Sequence, residues 1–353
     1  MRSTPGRGPD PGRPLAVVLH WGSLDDTFAS LDSLRAQTCP VDLLVVDNGT
    51  TPPEAGRLSR RYPDAAVRRL DDNRGVAGGR NVGLAEALRQ GRRFVLLFDN
   101  DAVAAPDMVE RLLDDAQSHP AAGLFGPKIR VAEDPSRLVR AGGGSWRVNY
   151  LSSVGEISRK IRPALPRAMQ PAWDPSRGEG ARDDGRYDAR EQAGFVTGGA
   201  QLIRVSALRE VGLLDERFSP YGCEDIDLCA RLARAGWLIR YVGDAVCVHP
   251  GPGSYRQPWA RAFYNTRNTL LLARKHLDVA DLLLVYGPDL VAVTLPLKLA
   301  HAALAGSPEQ VRGIVEAVVW NARDVAQNGL RVRDPVAGTH NGTATAAQRG
   351  EKK

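Results

Sequence analysis

The chain has 353 residues, enough for one large α/β domain with additions or for two domains. It is 43% hydrophobic and 25% charged, the composition of a soluble globular protein. Its net charge of +6 suits an anionic ligand such as a nucleotide, or an acidic membrane surface, while 6% aromatics and no basic stripe argue against nucleic acid.

In chain order, "MRSTPGRGPDPGRP" lacks the apolar core of a secretory signal and reads as a disordered lead. "LAVVLH" (Leu15 to His20) reads as a buried strand, and Phe28, Leu31 and Leu34 after it fall at helical spacing. "VDLLVVDNGT" is a second strand ending at Asp47, after which Pro52 and Pro53 are expected to open a helix. "AAVRRL" is a weak third strand. "NRGVAGGRNVGLAEALRQG" is a Gly-rich turn running into a helix that Gly91 closes. "FVLLFDND" is the fourth strand and "PDMVERLLDDAQ" the next helix. Helices alternating with apolar strands predict a parallel sheet covered on both faces, with ligands at the carboxyl ends of the strands. Asp47, Asn73, Asp99 and Asp101 all follow a strand end or the connection after it, so they are expected along one edge.

After Val131 the alternation breaks. Arg159 to Gln192 is rich in Arg, Pro, Gly and Asp and reads as a long loop, functional or disordered. "EDIDLCARLARAG" is a helix with Ile226, Cys229, Leu232 and Ala233 on one face, and Asp227 with Arg231 reads as an i,i+4 surface pair. "WLIRYVGDAVCVHPG" supplies one or two strands ending at His249. From Trp259 the chain reads as helical. Its apolar stretch Leu282 to Leu304 contains Pro288, Asp289, Pro296 and Lys298, which argues against a membrane span. A buried helix is the first reading. An interfacial segment, with Arg274 and Lys275 ahead of it as the basic residues, is the second. Cys39, Cys223, Cys229 and Cys247 form no C-x-x-C and read as buried free thiols. These features divide the chain into a lead (1–14), a first half (15–130), a second half (131–258) with a variable loop (155–192), a helical region (259–337) and a disordered tail (338–353).

Asp99-Asn100-Asp101 poses the functional question. Two carboxylates at the end of a buried strand are either a capping turn or a site for a divalent cation, because a buried carboxylate is costly unless paired or metal-bound. The neighbouring motifs bear on this. "VVDNGT", "NRGVAGGRNVG", "LLFDNDA", "GFVTGGAQLIRVSALREVGLLDERF", "YGCEDIDLCARLARAGW" and a strand ending in "VHPG" occur in that order. Over Leu15 to His276 this resembles the family 2 glycosyltransferases of GT-A fold, nearest the rhamnosyl- and galactofuranosyltransferase-like branch.

The resemblance implies a Rossmann-like, mostly parallel α/β sheet with flanking helices, here with a C-terminal helical extension. It places Asp47 against the nucleotide base and Asn73, Arg74 and Arg80 on the nucleotide side. Asp99 and Asp101 then stand as the D-x-D that holds the metal, ribose and diphosphate, Asp225 as the general base, and His249 as a further metal ligand. It implies inverting transfer from a nucleoside-diphosphate sugar, dTDP- or UDP-linked, to a hydroxyl acceptor, with Mn²⁺ or Mg²⁺. It implies a cytoplasmic enzyme, with peripheral membrane contact as an option. A hard cation needs oxygen ligands, a single imidazole favours Mn²⁺ somewhat, and the attacking hydroxyl needs a carboxylate to take its proton. Ala102 stands where the family carries Thr or Ser, which loosens any donor assignment. The alternatives are a sugar nucleotidyltransferase, a dinucleotide oxidoreductase and an inactive nucleotide-sugar-binding protein. "HWGSLDDT" after the first strand carries neither the Gly-rich basic loop nor the G-x-G-x-x-G that the first two require.

Overall fold

A computed structural model describes residues 12–143, 178–250 and 257–332. The lead up to residue 11, most of the expected variable loop and the tail lie outside the described residues. The first half runs β1 (Leu15–His20), α1 (Leu24–Arg35), β2 (Asp42–Asp47), α2 (Ala55–Arg61), β3 (Ala66–Arg69), α3 (Gly75–Arg89), β4 (Phe94–Asp99), β5 (Val103–Ala104), α4 (Met108–Ser118) and β6 (Ala122–Val131). Then follow β7 (Leu138–Arg140), β8 (Arg190–Ala193), β9 (Ala200–Arg204), α5 (Val205–Val211), α6 (Glu224–Arg234), β10 (Leu238–His249) and α7 (Pro258–His276). Two further helices complete the described residues: α8 (Asp281–Leu304) and α9 (Pro308–Asn328). α8, which the sequence reads first as a buried helix, leaves Leu284, Val291 and Leu304 exposed. Pro52 and Pro53 do not open α2, which begins at Ala55 behind Glu54.

The strands form one sheet in the order β3-β2-β1-β4-β9-β6-β10-β5. β3, β2, β1 and β4 are parallel, as the apolar runs predict. β9 is inserted antiparallel between β4 and β6, and β6 pairs parallel with β10. The sheet is therefore mixed, and it runs through both halves expected from the sequence. Reversal of β9 has a consequence for function. It brings the start of β9, not its end, to the edge where β4 and β10 finish. The ends of β2, β4 and β10 and the Gly198-Gly199 turn thus share one edge.

Buried side chains pack both faces of the sheet, with Val18, Leu31, Leu96 and Phe125 on one and Val17, Leu84, Leu97 and Leu228 on the other. α3 lies close to β1 because Gly79 and Gly83 face Leu19 and Val17, where a Cβ would collide with those side chains. Residues 178–192 are ordered where the sequence read a loop. Asp183 binds Lys128 and Arg130, and β8 pairs with β10.

α6 is anchored from below. Asp227 is fully buried and accepts from Arg231 Nε at 2.8 Å, Lys275 Nζ at 2.6 Å and His276 Nε2 at 2.7 Å. Lys275 also reaches Asp215 at 2.7 Å. The Asp227–Arg231 pair expected on the surface exists, but it lies in the core. These bonds hold the Asp227 carboxyl well below its usual range despite the opposing effect of burial. Truncating one member of such a network strands the other charges. Asp227→Ala is expected to cost about 3–5 kcal/mol, read as a lower denaturant midpoint at unchanged slope; a loss under about 1 kcal/mol would show that solvent reaches the network.

Candidate active site

The site is built on a buried guanidinium. Arg80, on α3, is 4% exposed. Its Nη2 donates to Asp99 Oδ1 and, at 2.8 Å, to the Gly198 carbonyl. Asp99 is further fixed by its own N–H, which donates to Gly199 O at 3.0 Å, and by Ser30 Oγ, which donates to its carbonyl at 2.9 Å. Burial pushes the Asp99 carboxyl up, but Arg80 and His249 outweigh it and hold the group ionised.

His249 ends β10. Its Nε2 lies 3.4 Å from Asp99 Oδ2 and 3.1 Å from Asp101 Oδ1. Ligand atoms of these three residues all lie within 4.8 Å of one another, the only such cluster of potential metal ligands among the described residues. Two carboxylates and an imidazole form a donor set that fits Mn²⁺ or Mg²⁺. Burial alone would depress the imidazole. Asp101 and Asp99 reverse this and push it up to about 10.

Asp225 sits in the first turn of α6. Its Oδ2 accepts from Gly198 N at 2.8 Å and its Oδ1 from Ile226 N at 2.8 Å. Gly198 therefore contacts both groups, its carbonyl accepting from Arg80 and its N–H donating to Asp225. A Cβ at Gly198 would press on both side chains, and one at Gly199 would meet Asp99. Beside Asp225, Glu224 is buried, and burial together with the Asp225 charge pushes its carboxyl up to about 7.

The loop ahead of α6 is held by α7. Asn268 Nδ2 donates to the carbonyls of Phe218, Tyr221 and Gly222 at 2.8, 2.7 and 2.9 Å. Arg267 Nη2 donates to those of Arg217 and Ser219 at 3.0 and 2.5 Å. Cys223 consequently adopts a left-handed backbone, φ +74°, which a residue with a Cβ rarely takes. Sequence reasoning gave no role to Gly198, Gly199, Arg267 or Asn268. The "TGG" ahead of an apolar strand was the available signal for the glycines.

The other expected residues lie on the same edge. Asp47 is fully buried. It accepts from Thr50 N and Oγ1 at 2.9 and 2.8 Å, Ala55 N at 3.1 Å and Arg69 Nη1 at 2.8 Å, so both oxygens close the turn between β2 and α2. Asn73 Oδ1 accepts from Asn48 Nδ2 at 3.0 Å and Gly75 N at 2.8 Å, while Arg74 is exposed beside Glu216. Val76 N donates to Pro220 O at 2.7 Å, which ties the start of α3 to the loop before α6.

A profile of the family described as "Glycosyl transferase family 2" matches residues 27–212, more than half of the sequence. The chain belongs to that family. Among its relatives is the N-acetylglucosaminyl-diphospho-decaprenol L-rhamnosyltransferase of Mycobacterium tuberculosis, 29% identical over 273 residues, which covers 74% of this chain and 84% of the relative. A galactofuranosyltransferase of the same organism is 29% identical over 244 residues, covering 67% and 69%. Similar solved structures include TarS of S. aureus in complex with UDP-GlcNAc, with TM-score 0.51 and 15% identity over 86% of this chain and 79% of that one. GalNAc-T7 with UDP, GalNAc and Mn²⁺ gives TM-score 0.52 and 12% identity over 74% of this chain and 48% of that one. At these identities the structures establish the GT-A fold. The chain is thus a family 2 glycosyltransferase of GT-A fold.

His249 must lose its proton to ligate a cation, so metal and proton compete for it. Mn²⁺ affinity is expected to rise close to tenfold per pH unit between about pH 6 and 8, below the imidazole value of about 10. The imidazole is raised above its unfolded value of about 6.5. Its contribution to the stability of the metal-free protein is thus complete below that value and is lost as pH rises through about 10. Calorimetric Mn²⁺ titrations of His249→Gln should show the pH slope flattened; an undiminished slope would remove His249 from the ligand set.

Proposed function

We propose that this glycosyltransferase is inverting and metal-dependent, and that it moves a sugar from a dTDP- or UDP-linked donor to a hydroxyl of a lipid-linked saccharide. The observation that carries the reading is the Gly198 strut. It joins Arg80, which holds Asp99 beside Asp101 and His249, to the Asp225 carboxylate through a single residue. In this reading the leaving group is held at the Asp99, Asp101 and His249 cluster and Asp225 serves as the base from the other side of the sugar, as inversion requires.

In this reading Asp99, Asp101 and His249 hold Mn²⁺ or Mg²⁺, which offsets the charge that develops on the departing diphosphate. Arg80 fixes Asp99 and leaves its second oxygen toward His249. The acceptor oxygen forms a bond to the anomeric carbon as the bond from that carbon to the diphosphate oxygen breaks. The acceptor proton passes to Asp225, in the first turn of α6. Asp47 acts at the base end through the Thr50 turn it closes, and Asn73 and Arg74 line the nucleotide side. The lipid-linked acceptor and the deoxysugar branch are supported by the rhamnosyltransferase relative, which spans most of this chain.

Asp225→Asn keeps shape but cannot take the proton. Turnover with saturating donor is expected to fall about 10²–10⁴-fold with donor affinity retained. Hydrolysis of the donor by water should fall in parallel, because water needs the same base. A variant with normal turnover and weakened donor binding would instead move Asp225 into the donor pocket. Asp101→Ala, or chelation of the wild type, is expected to abolish transfer; activity that survives both would remove the metal from the mechanism.

A further inference from the structure

We propose that His20 is a positioning residue of the metal centre: through Thr27 it fixes Asn100, so that Asp99 and Asp101 turn toward one cation. β1 lies between β2 and β4, and its end stands level with both of theirs. His20 pairs with Asp47 on one side, and Leu19 with Asp99 on the other. The imidazole is fully buried there, next to the strand end that carries the two acids.

Hydrogen-bond valence assigns the protons. Thr27, in α1, donates its hydroxyl hydrogen to Ser23 O at 3.0 Å. A carbonyl can only accept, so that hydrogen is committed and two lone pairs remain on Thr27 Oγ1. One accepts from Asn100 Nδ2 at 3.1 Å and the other from His20 Nδ1 at 2.7 Å. His20 therefore carries a proton on Nδ1. The Asn100 amide is oriented by the same logic, because its nitrogen also lies 3.2 Å from Trp21 O. His20 Nε2 faces Glu54 Oε2 at 2.8 Å, which fixes the ring from its far side. Glu54 stands at the head of α2. Its N–H donates to Thr50 Oγ1 at 3.2 Å, and that hydroxyl donates to Asp47 Oδ1 at 2.8 Å. A continuous chain of hydrogen bonds thus runs from the Asp47 turn through His20 to Asn100.

The metal pair needs such a support. β4 ends at Asp99, and Ala102 N donates back to Asp99 O at 3.2 Å, so Asn100 and Asp101 occupy the middle of a turn. The alternation of a strand does not set the direction of side chains in a turn. Asp99 is fastened by Arg80, Gly199 and Ser30. The middle of the turn is tied to β1 and α1 by the two Asn100 bonds. A buried histidine with both nitrogens bonded adds stability wherever it stands. This one shares its Thr27 acceptor with the residue between two metal ligands. Without the Nδ1 donor, one Thr27 lone pair is left unsatisfied in the core and the hydroxyl is free to turn away from Asn100.

The inference rests on the reading of Asp99, Asp101 and His249 as cation ligands. The test exploits the two ring nitrogens. In His20→Asn the amide nitrogen falls near Nδ1, which keeps the Thr27 bond and loses Glu54. In His20→Gln it falls near Nε2, which keeps Glu54 and loses Thr27. Each removes one buried hydrogen bond, so both are expected to lower the melting temperature. Mn²⁺ is titrated calorimetrically into the full chain of each, without and with UDP. Affinity is expected to fall about three- to tenfold in His20→Gln and to stay within about twofold of wild type in His20→Asn. Thr27→Val, which removes the shared acceptor, should match His20→Gln, and the double variant should be no weaker than Thr27→Val alone. Equal weakening in the two His20 variants, weakening in neither, or additive losses in the double variant would overturn the proposal and leave the cation site standing. A wild type that takes up no Mn²⁺ under either condition would overturn both.

Discussion

The centre depends on one buried charge. A guanidinium cannot shed its proton to escape burial, so Arg80 must be neutralised where it stands. Asp99 supplies the charge and Gly198 the second acceptor. Both have to be at the end of the sheet for Arg80 to be tolerated inside it. β9 must therefore enter antiparallel, so that its first residues meet the end of β4. Gly198 also donates its N–H to Asp225, so one residue contacts both the Arg80 guanidinium and the Asp225 carboxylate. The Arg80–Asp99 ion pair and the Asp225 carboxylate thus meet at one residue.

Much of this was legible in the sequence, and the remainder was not for identifiable reasons. β1, β2 and β4 announced themselves as apolar runs, because strands covered on both faces have no polar side to interrupt them. Asp99, Asp101 and His249 could be placed at strand ends, and the structure brings them together. The direction of β9 was not readable, since a strand covered on both faces has the same pattern whichever way it runs. The surroundings of charged residues were hidden as well. Asp227 and Arg231 have the spacing of a surface pair, and only α7 packing over them makes the pair a buried one. Arg274 and Lys275 have the sequence of a basic flank, yet each is taken up by an acid distant in sequence. Asp47 has the position of a ligand contact, but its turn consumes both oxygens.

The first turn of α6 shows how one short motif serves two ends. Residues two apart on a helix differ by about 200° around its axis. Asp225 and Asp227 therefore face opposite ways. Asp225 reaches the Gly198 peptide, and Asp227 reaches Lys275 and His276 at the end of α7. Their environments separate them electrostatically. Asp227 is surrounded by cations and cannot serve as a base. Asp225 shares its side with Glu224, whose carboxyl burial and the Asp225 charge raise to about 7.

α7 then links the motif to the rest of the C-terminal region. Its Asn268 and Arg267 grip the carbonyls of residues 217–222, and its last turn grips Asp227, so both the approach to α6 and its underside are set by one helix. The same helix contributes Leu270, Leu271 and Leu272 to the cluster that buries Leu282 and Tyr286 of α8. The family profile ends at residue 212, so Asp99 and Asp101 lie inside it and Asp225, α7 and His249 beyond it. The Asp225 carboxylate is thus held from two directions, by the Gly198 N–H at the sheet edge and by the α7 side chains that fix the loop ahead of α6.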